Sequence, residues 1–78
     1  MKSTNTPEYQ SLLDLLVRAR KEQGLTQAAL ASKLGKAQSY IAKIEAGERR
    51  MDMVELSEIG RFLNIEVSIR YLDSRWGS

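Results

Sequence analysis

The sequence contains no cysteine and no histidine among its 78 residues. Their absence excludes disulfide bonds, thiolate and imidazole metal ligands, and the nucleophile and base pairs that catalytic sites build from these residue types. Serine or carboxylate chemistry would lack its commonest partners, and no nucleophile with its base stands out in the sequence. We therefore expect a protein that is not an enzyme and that has no metal site and no cofactor.

Long apolar runs are also missing. No run approaches the roughly 20 residues of a membrane-spanning helix, and the first ten residues, MKSTNTPEYQ, contain no apolar signal-peptide core. We expect a soluble cytoplasmic protein without a membrane partner. Because a chain of 78 residues can bury only a small core, a single domain assisted by self-association is the expected organisation.

The charges are distributed unevenly along the chain. Residues 1–50 contain nine basic and five acidic side chains, whereas residues 51–78 contain three basic and five acidic ones. A basic first part suggests an anionic partner there and a different role for the second part. A basic face that is simply solvated explains the same asymmetry, so composition alone leaves both interpretations open.

Apolar periodicity and capping residues predict three helices in the first part of the chain. The first begins after Thr6, with Pro7 at its first position. The second begins after Thr26, a turn at Gly35 follows it, and the third extends over about residues 37–46. The side chains expected to form the apolar stripe of the first helix are Tyr9, Leu12, Leu13, Leu16 and Val17.

A fourth helix is predicted by a capping box, in which Asp52 caps the first turn and Glu55 reciprocates three residues later. Asn64 is expected to end this helix in the left-handed conformation. The side chains expected to face the core from it are Met53, Leu56, Ile59 and Leu63.

After the fourth helix the pattern changes to an alternation of apolar and polar residues, which predicts a half-buried β-strand. A single strand must pair its backbone N–H and C=O groups, and no other run in the sequence alternates. The simplest partner is the same strand of a second copy, in an antiparallel ribbon across a twofold axis. The alternative is that the fourth helix continues and no strand forms. The residues expected in the dimer strand are Ile65, Val67, Ile69 and Tyr71.

Two short helices joined by a glycine turn form a helix-turn-helix. The stretch GLTQAALASKLGKAQSYIAKIEAGER has this arrangement and contains further sequence features of one family. Its Thr-Gln start, its small Ala31 at the helix crossing, its Gly35 turn and its Ile-x-x-Ile-Glu-x-Gly ending resemble the Cro and phage-repressor (Xre) family of transcriptional regulators. The resemblance extends from about residue 9 to residue 64. We therefore expect a mostly α fold: a four- to five-helix, repressor-like helix-turn-helix DNA-binding domain at 6–64, a C-terminal dimerisation β-strand at 65–72 that pairs across a dimer, and a flexible tail at 73–78.

The resemblance implies a sequence-specific repressor that reads a palindromic operator in double-stranded DNA as a homodimer. The second helix of such a motif lies in the major groove. Matched by position, the residues expected at base edges are Gln38, Ser39 and Lys43, whose side chains suit adenine and guanine. The residues expected at the DNA backbone are Gln27, at a helix start that suits an anion, and Lys36, Tyr40, Arg49 and Arg50. For the two arginines, a charged loop without a DNA contact is the alternative.

Arg20 and Glu45 match a family ion pair that joins the first and third helices, and the structural role is favoured over a functional carboxylate. Three residues depart from the family pattern. Ala37 replaces the usual Ser or Thr cap, Ala46 replaces an Asn that reaches a phosphate, and Glu48 adds a negative charge near the DNA backbone. Phosphate contacts at that end of the recognition helix would come instead from the two arginines that follow it.

A repressor-like module with a C-terminal strand is also similar to antitoxins of the high-persistence type. The alternative function is therefore an antitoxin of a toxin–antitoxin module, which neutralises a kinase-like toxin and represses its own operon. Trp76 in the tail would be a suitable anchor for a toxin protein, although a terminal Trp can equally pack back on its own domain. Both functions use the same DNA interface.

Overall fold

The computed structural model describes residues 6–70 and residue 72. Within this part of the chain, four α-helices and no strand are present: α1 (Pro7–Glu22), α2 (Gln27–Lys33), α3 (Gln38–Glu45) and α4 (Met53–Leu63). The mostly α fold class is therefore confirmed, with four helices rather than five in the described residues. None of these four helices has both the length and the apolar character needed to cross a membrane.

Three of these helices start at the predicted capping residues. The hydroxyl oxygens of Thr6 and Thr26 accept hydrogen bonds from the backbone N–H groups three residues later, at 3.1 and 3.0 Å. At the start of α4, the Asp52 carboxylate accepts from the Glu55 N–H at 2.8 Å, and the Glu55 carboxylate accepts from the Asp52 N–H at 3.1 Å. These bonds satisfy N–H groups that a helix start leaves without a partner.

The core lies where the four helices meet. Its buried apolar side chains are Leu13, Leu16, Ala19, Leu30, Ala31, Ile41, Ile44, Met51, Ile59 and Leu63. The prediction that Met53 faces the core is wrong, because Met53 is 50% exposed and Met51 is only 7% exposed. The Met51 N–H donates to the Tyr9 hydroxyl at 3.1 Å. This bond holds the chain before α4 against α1, so Met51 fills this end of the core instead.

Helix α4 ends at Leu63, because Asn64 adopts the left-handed conformation with φ 61°. The alternative in which the fourth helix continues is therefore wrong. The strand predicted after it is not shown, since residues 65–70 have no regular secondary structure in the described chain. Tyr71 and the tail at 73–78, including Trp76, lie outside the described residues.

The segment after Asn64 turns back onto α4. The Ile65 N–H donates to the Gly60 carbonyl at 3.0 Å, and a Cβ on Gly60 would lie 3.0 Å from the Ile65 carbonyl oxygen and 3.6 Å from Val67 Cγ2. Glycine at position 60 therefore allows the segment to approach the helix more closely, by a few tenths of an ångström, than a residue with a Cβ would. Ile65 and Val67 are half-buried and Glu66 and Ser68 are exposed, but Ile69 is 82% exposed. The alternation of burial that the sequence pattern predicted therefore extends only to Ser68, and the half-buried position predicted for Ile69 is wrong in the single chain.

Candidate nucleic-acid interface

Helices α2 and α3 pack against each other around a tight turn. Ala31, only 1% exposed, lies on α2, which packs mainly against α3. Gly35 has φ 71°, a conformation that residues with a Cβ rarely adopt. The Lys36 N–H then donates to the Ala31 carbonyl at 2.9 Å. The turn therefore places Lys36 directly before the start of α3.

Helix α3 has a buried apolar face and an exposed polar face. Ile41 and Ile44 are each 1% exposed, while Gln38, Ser39 and Lys43 are all exposed. The three residues predicted at base edges are thus accessible on one short helix.

The first turn of α3 has no side-chain cap. Ala37 is the N-cap residue and offers no acceptor, in contrast to the threonines and the aspartate that cap the other three described helices. The backbone N–H groups at the start of α3 are therefore not satisfied by a capping side chain, and this helix end keeps hydrogen-bonding capacity for another acceptor.

A buried ion pair joins α1 to the end of α3. Arg20 Nε lies 2.6 Å from Glu45 Oε2 and Arg20 Nη2 lies 3.0 Å from Glu45 Oε1, with the two side chains only 9% and 10% exposed. The remaining Arg20 Nη1 donates to the Leu25 carbonyl at 2.8 Å. No buried side-chain nitrogen or oxygen in the described residues lacks a hydrogen-bond partner. Each nitrogen of the Arg20 guanidinium therefore has a hydrogen-bond partner, as a buried charge needs.

The polar network continues from this ion pair to the surface of α3. Gln27 Nε2 donates to Glu45 Oε1 at 2.9 Å, and Gln38 Nε2 donates to Gln27 Oε1 at 2.8 Å. Gln27 was predicted at a phosphate, and both ends of its side-chain amide are occupied within the protein. The structure thus brings Gln27 and Gln38 together, a contact that the sequence did not suggest.

A second cluster lies beside the first turn of α3. The Lys36 Nζ and the Arg49 guanidinium carbon lie 5.2 Å and 4.9 Å from the centroid of the Tyr40 ring. Both distances are within the range of cation–π attraction. Three of the residues predicted at the DNA backbone are therefore neighbours at the start of the recognition helix.

Arg49 in this cluster is already paired. Its Nη1 and Nη2 donate to the two carboxylate oxygens of Glu55 at 3.0 and 2.8 Å. Hydrogen bonds from Arg49 and from the Asp52 backbone lower the pKa of Glu55 from 4.5 to about 2, and the bond to Glu55 raises the pKa of Arg49. Burial raises the pKa of Tyr40, and the Glu55 charge adds to the effect. Glu55 is therefore ionised at neutral pH.

Arg50 lies apart from this cluster. Its guanidinium carbon is 5.3 Å from the centroid of the Tyr9 ring on α1, so its charge is directed to α1 and not to the Lys36 side of α3. The structure does not bring Arg50 together with the other residues predicted at the DNA backbone.

Sequence reasoning missed the role of Glu55. The capping box identified this residue, but capping uses the Glu55 carboxylate as an acceptor for one backbone N–H, and the same carboxylate also accepts from Arg49. A carboxylate six residues after an arginine, across a helix start, is the only sequence signal for the pair.

Among the residues that the structure describes, no group of acidic side chains is suited to hold a metal ion.

Comparison with known proteins agrees with this geometry. A helix-turn-helix family model matches residues 16–70, which include all of α2, α3 and α4. Neither a comparison with curated proteins nor one with solved structures gave a significant match. The matched family consists of DNA-binding regulatory domains and is not an enzyme family. The chain therefore belongs to the Cro and phage-repressor (Xre) family of helix-turn-helix proteins, as a DNA-binding transcriptional regulator.

Proposed function

We propose that the protein is a sequence-specific repressor that reads a palindromic operator as a homodimer. The observation that carries this proposal is the exposed polar face of α3, opposite the buried Ile41 and Ile44. A helix-turn-helix places such a face in the major groove, where each base pair presents a distinct set of donors and acceptors.

The side chains on this face have the chemistry to distinguish bases. The Gln38 amide can pair with adenine N6 and N7, the Lys43 ammonium can donate to guanine O6 and N7, and the Ser39 hydroxyl can donate or accept. Gln38 is the residue whose amide is hydrogen-bonded to Gln27. This bond restricts the Gln38 rotamers before DNA arrives, so less side-chain entropy is lost on binding.

The DNA backbone would be held by the cluster beside the start of α3. Lys36 and Tyr40 are adjacent there, and they would position the helix without reading sequence. Arg49 can join them only when it leaves Glu55. Gln27 can contribute through the N–H groups at the start of α2. Arg50 would contribute only by leaving the Tyr9 ring.

A homodimer is supported by the C-terminal segment. The backbone groups of residues 66–70 make no hydrogen bond to any other described residue, and a second copy of the segment supplies the missing partners in an antiparallel ribbon. A twofold axis would present two copies of α3 to half-sites about one DNA turn, roughly 34 Å, apart. In this organisation residues 6–64 bind DNA, residues 65–72 dimerise, and a dimer bound over a promoter represses transcription by excluding other proteins.

Selection of bound DNA from a random pool tests the proposal. We expect the selected sequences to share an inverted repeat whose half-sites lie about 10 base pairs apart from centre to centre. A shared motif without twofold symmetry would contradict the homodimer but not the sequence-specific reading. A pool that shows no shared motif would contradict the proposed function altogether.

An antitoxin would use the same DNA interface and add a toxin protein as a partner of the tail at 73–78. The described residue nearest that tail is Leu72, which is 80% exposed and is an apolar side chain open to a partner. Pull-down from the source cell with the full chain and with a chain ending at Leu72 distinguishes the two functions. A kinase-like protein retained only by the full chain would establish the antitoxin.

A further inference from the structure

The segment from Ile65 to Arg70 has two different faces. Ile65 and Val67 are half-buried against α4, while Glu66, Ser68 and Arg70 are exposed. Along the exposed face, an acidic residue, a small neutral residue and a basic residue therefore follow one another at intervals of two. This order makes the face complementary in charge to a copy of itself running in the opposite direction.

We propose that two copies of this segment pair antiparallel about a twofold axis at Ser68, so that Glu66 of each chain lies opposite Arg70 of the other. The inference rests on the proposed homodimer and adds which residues meet. Residues directly opposite each other in an antiparallel pair lie on the same face, with Cβ atoms about 5 Å apart. Both charged pairs are then attractive, and the two Ser68 side chains meet at the axis without steric conflict.

Other registers lose this complementarity. An axis at Val67 places Glu66 opposite Ser68, and an axis at Ile69 places Arg70 opposite Ser68, so the opposite charges no longer face each other directly. An axis between two neighbouring residues places apolar side chains opposite charged ones, because a shift of one residue exchanges the faces of a strand. Only the axis at Ser68 places Glu66 directly opposite Arg70 on the exposed face and also keeps apolar side chains opposite each other on the other face.

The same register explains the exposure of Ile69. This residue shares a face with Val67 but is 82% exposed in the single chain, whereas Val67 packs near Gly60 of α4. With the axis at Ser68, Ile69 lies opposite Val67 of the second copy, over that copy's α4. The helix below each strand also supplies the packing that an isolated two-stranded ribbon lacks in water.

Charge exchange tests the register. Glu66→Arg makes both cross-strand pairs Arg with Arg, and Arg70→Glu makes both pairs Glu with Glu. We expect each variant to raise the dimer dissociation constant about tenfold or more, measured by sedimentation equilibrium. The double variant Glu66→Arg, Arg70→Glu restores two attractive pairs, so its dissociation constant should return to within about threefold of the wild type.

Mixing the two single variants provides a stronger test. Their mixture should form a heterodimer in which the substituted position 66 of the Glu66→Arg chain faces the substituted position 70 of the Arg70→Glu chain, with opposite charges. Co-purification through a tag on one variant detects this heterodimer. Glu58→Arg and Arg61→Glu make the same charge changes at exposed positions of α4 outside the segment and should leave the dissociation constant unchanged. Rescue by mixing also shows that both single variants are folded, because the heterodimer contains one chain of each.

The outcomes separate this inference from the homodimer itself. If the wild type stays monomeric at all concentrations tested, the proposed homodimer is wrong and the register with it. If the wild type is a dimer but neither single variant weakens it, or neither the double variant nor the mixture restores it, the register is wrong while the homodimer stands.

Discussion

The side-chain amide of Gln38 donates to the side-chain oxygen of Gln27 at 2.8 Å. This bond connects the first residue of α3 to the first residue of α2. Through Glu45 it continues to Arg20 in the core. The side chain expected at a base edge is therefore oriented by the same network that joins the helices.

Replacing Gln38 should remove sequence readout. We expect Gln38→Ala to weaken binding to the selected operator by about 1 to 3 kcal/mol and to relax the preference at one base pair. The matched control, Lys36→Ala, should weaken all DNA similarly and reduce the slope of log affinity against log salt by about one. Fluorescence anisotropy with operator and random DNA measures both, and equal effects of the two substitutions would contradict the assignment.

Removing one partner of the buried ion pair should destabilise the fold. Glu45→Ala leaves the Arg20 cation buried without its carboxylate, which should lower the free energy of unfolding by about 3 to 5 kcal/mol. Glu48→Ala removes an exposed carboxylate just beyond the same helix and should change it by about 0.5 kcal/mol or less. Urea denaturation measures both values. A similar loss in the two variants would show that the pair is not structural.

Glu55 should restrain Arg49 from binding DNA. Glu55→Gln removes the bidentate charged partner of Arg49 but keeps a side-chain acceptor for the capping box, which accepts Gln as well as Glu. We expect stronger binding to all DNA and a salt slope steeper by about one. Glu58→Gln makes the same charge change one turn along α4 and is the control. A salt slope unchanged by Glu55→Gln would contradict the restraint of Arg49 by Glu55.

The same pair predicts a pH dependence of stability. The pKa of Glu55 is lowered from 4.5 to about 2 in the folded protein, so the folded state binds this proton less tightly than the unfolded state. The stability from ionised Glu55 is complete above about pH 4.5 and is lost as the pH falls toward about 2. The difference in melting temperature between the wild type and Glu55→Gln should therefore be constant above about pH 5 and shrink below it. A difference that does not change between about pH 5 and about pH 2 would contradict this linkage.

Replacing Gly60 with alanine should stabilise helix α4 and weaken the dimer. Gly60→Ala raises helix propensity in α4 by about 1 kcal/mol. The new Cβ would lie 3.0 Å from the Ile65 carbonyl oxygen, so the backbone of the C-terminal segment must shift by a few tenths of an ångström. We expect weaker dimerisation with the helical content retained, measured by sedimentation and circular dichroism. Ser57→Ala, at an exposed position of the same helix, should leave the dimer unchanged.

The helices were predictable because their signals are local. Thr6, Thr26 and Asp52 cap the helices by bonds to N–H groups three residues away. Apolar periodicity identified the residues that α1 and α4 bury most deeply, Leu13, Leu16, Ile59 and Leu63. The burial of Met51 was not predictable, because it depends on the hydroxyl of Tyr9, 42 residues earlier in the chain.

For the candidate site, the sequence named candidate residues but not the contacts between them. The family resemblance pointed to Gln27 and Gln38 separately, and only their side-chain conformations show that they bond to each other. Arg49 was predicted at a phosphate because it is basic and follows the recognition helix. Its pairing with Glu55 depends on how the chain turns between α3 and α4, and no periodic pattern encodes that turn.

The backbone groups of residues 66–70, which bond to no other residue in the described part of the chain, would also govern how the protein responds to its own abundance. In the proposed dimer, DNA reading requires two chains to meet, so well below the dissociation constant the dimer concentration rises with the square of the chain concentration, and a twofold change in synthesis produces about a fourfold change in dimer. Operator occupancy would then follow gene dosage more steeply than a monomeric reader allows. The short alternating segment after α4 would thus set the chain concentration above which the operator becomes occupied.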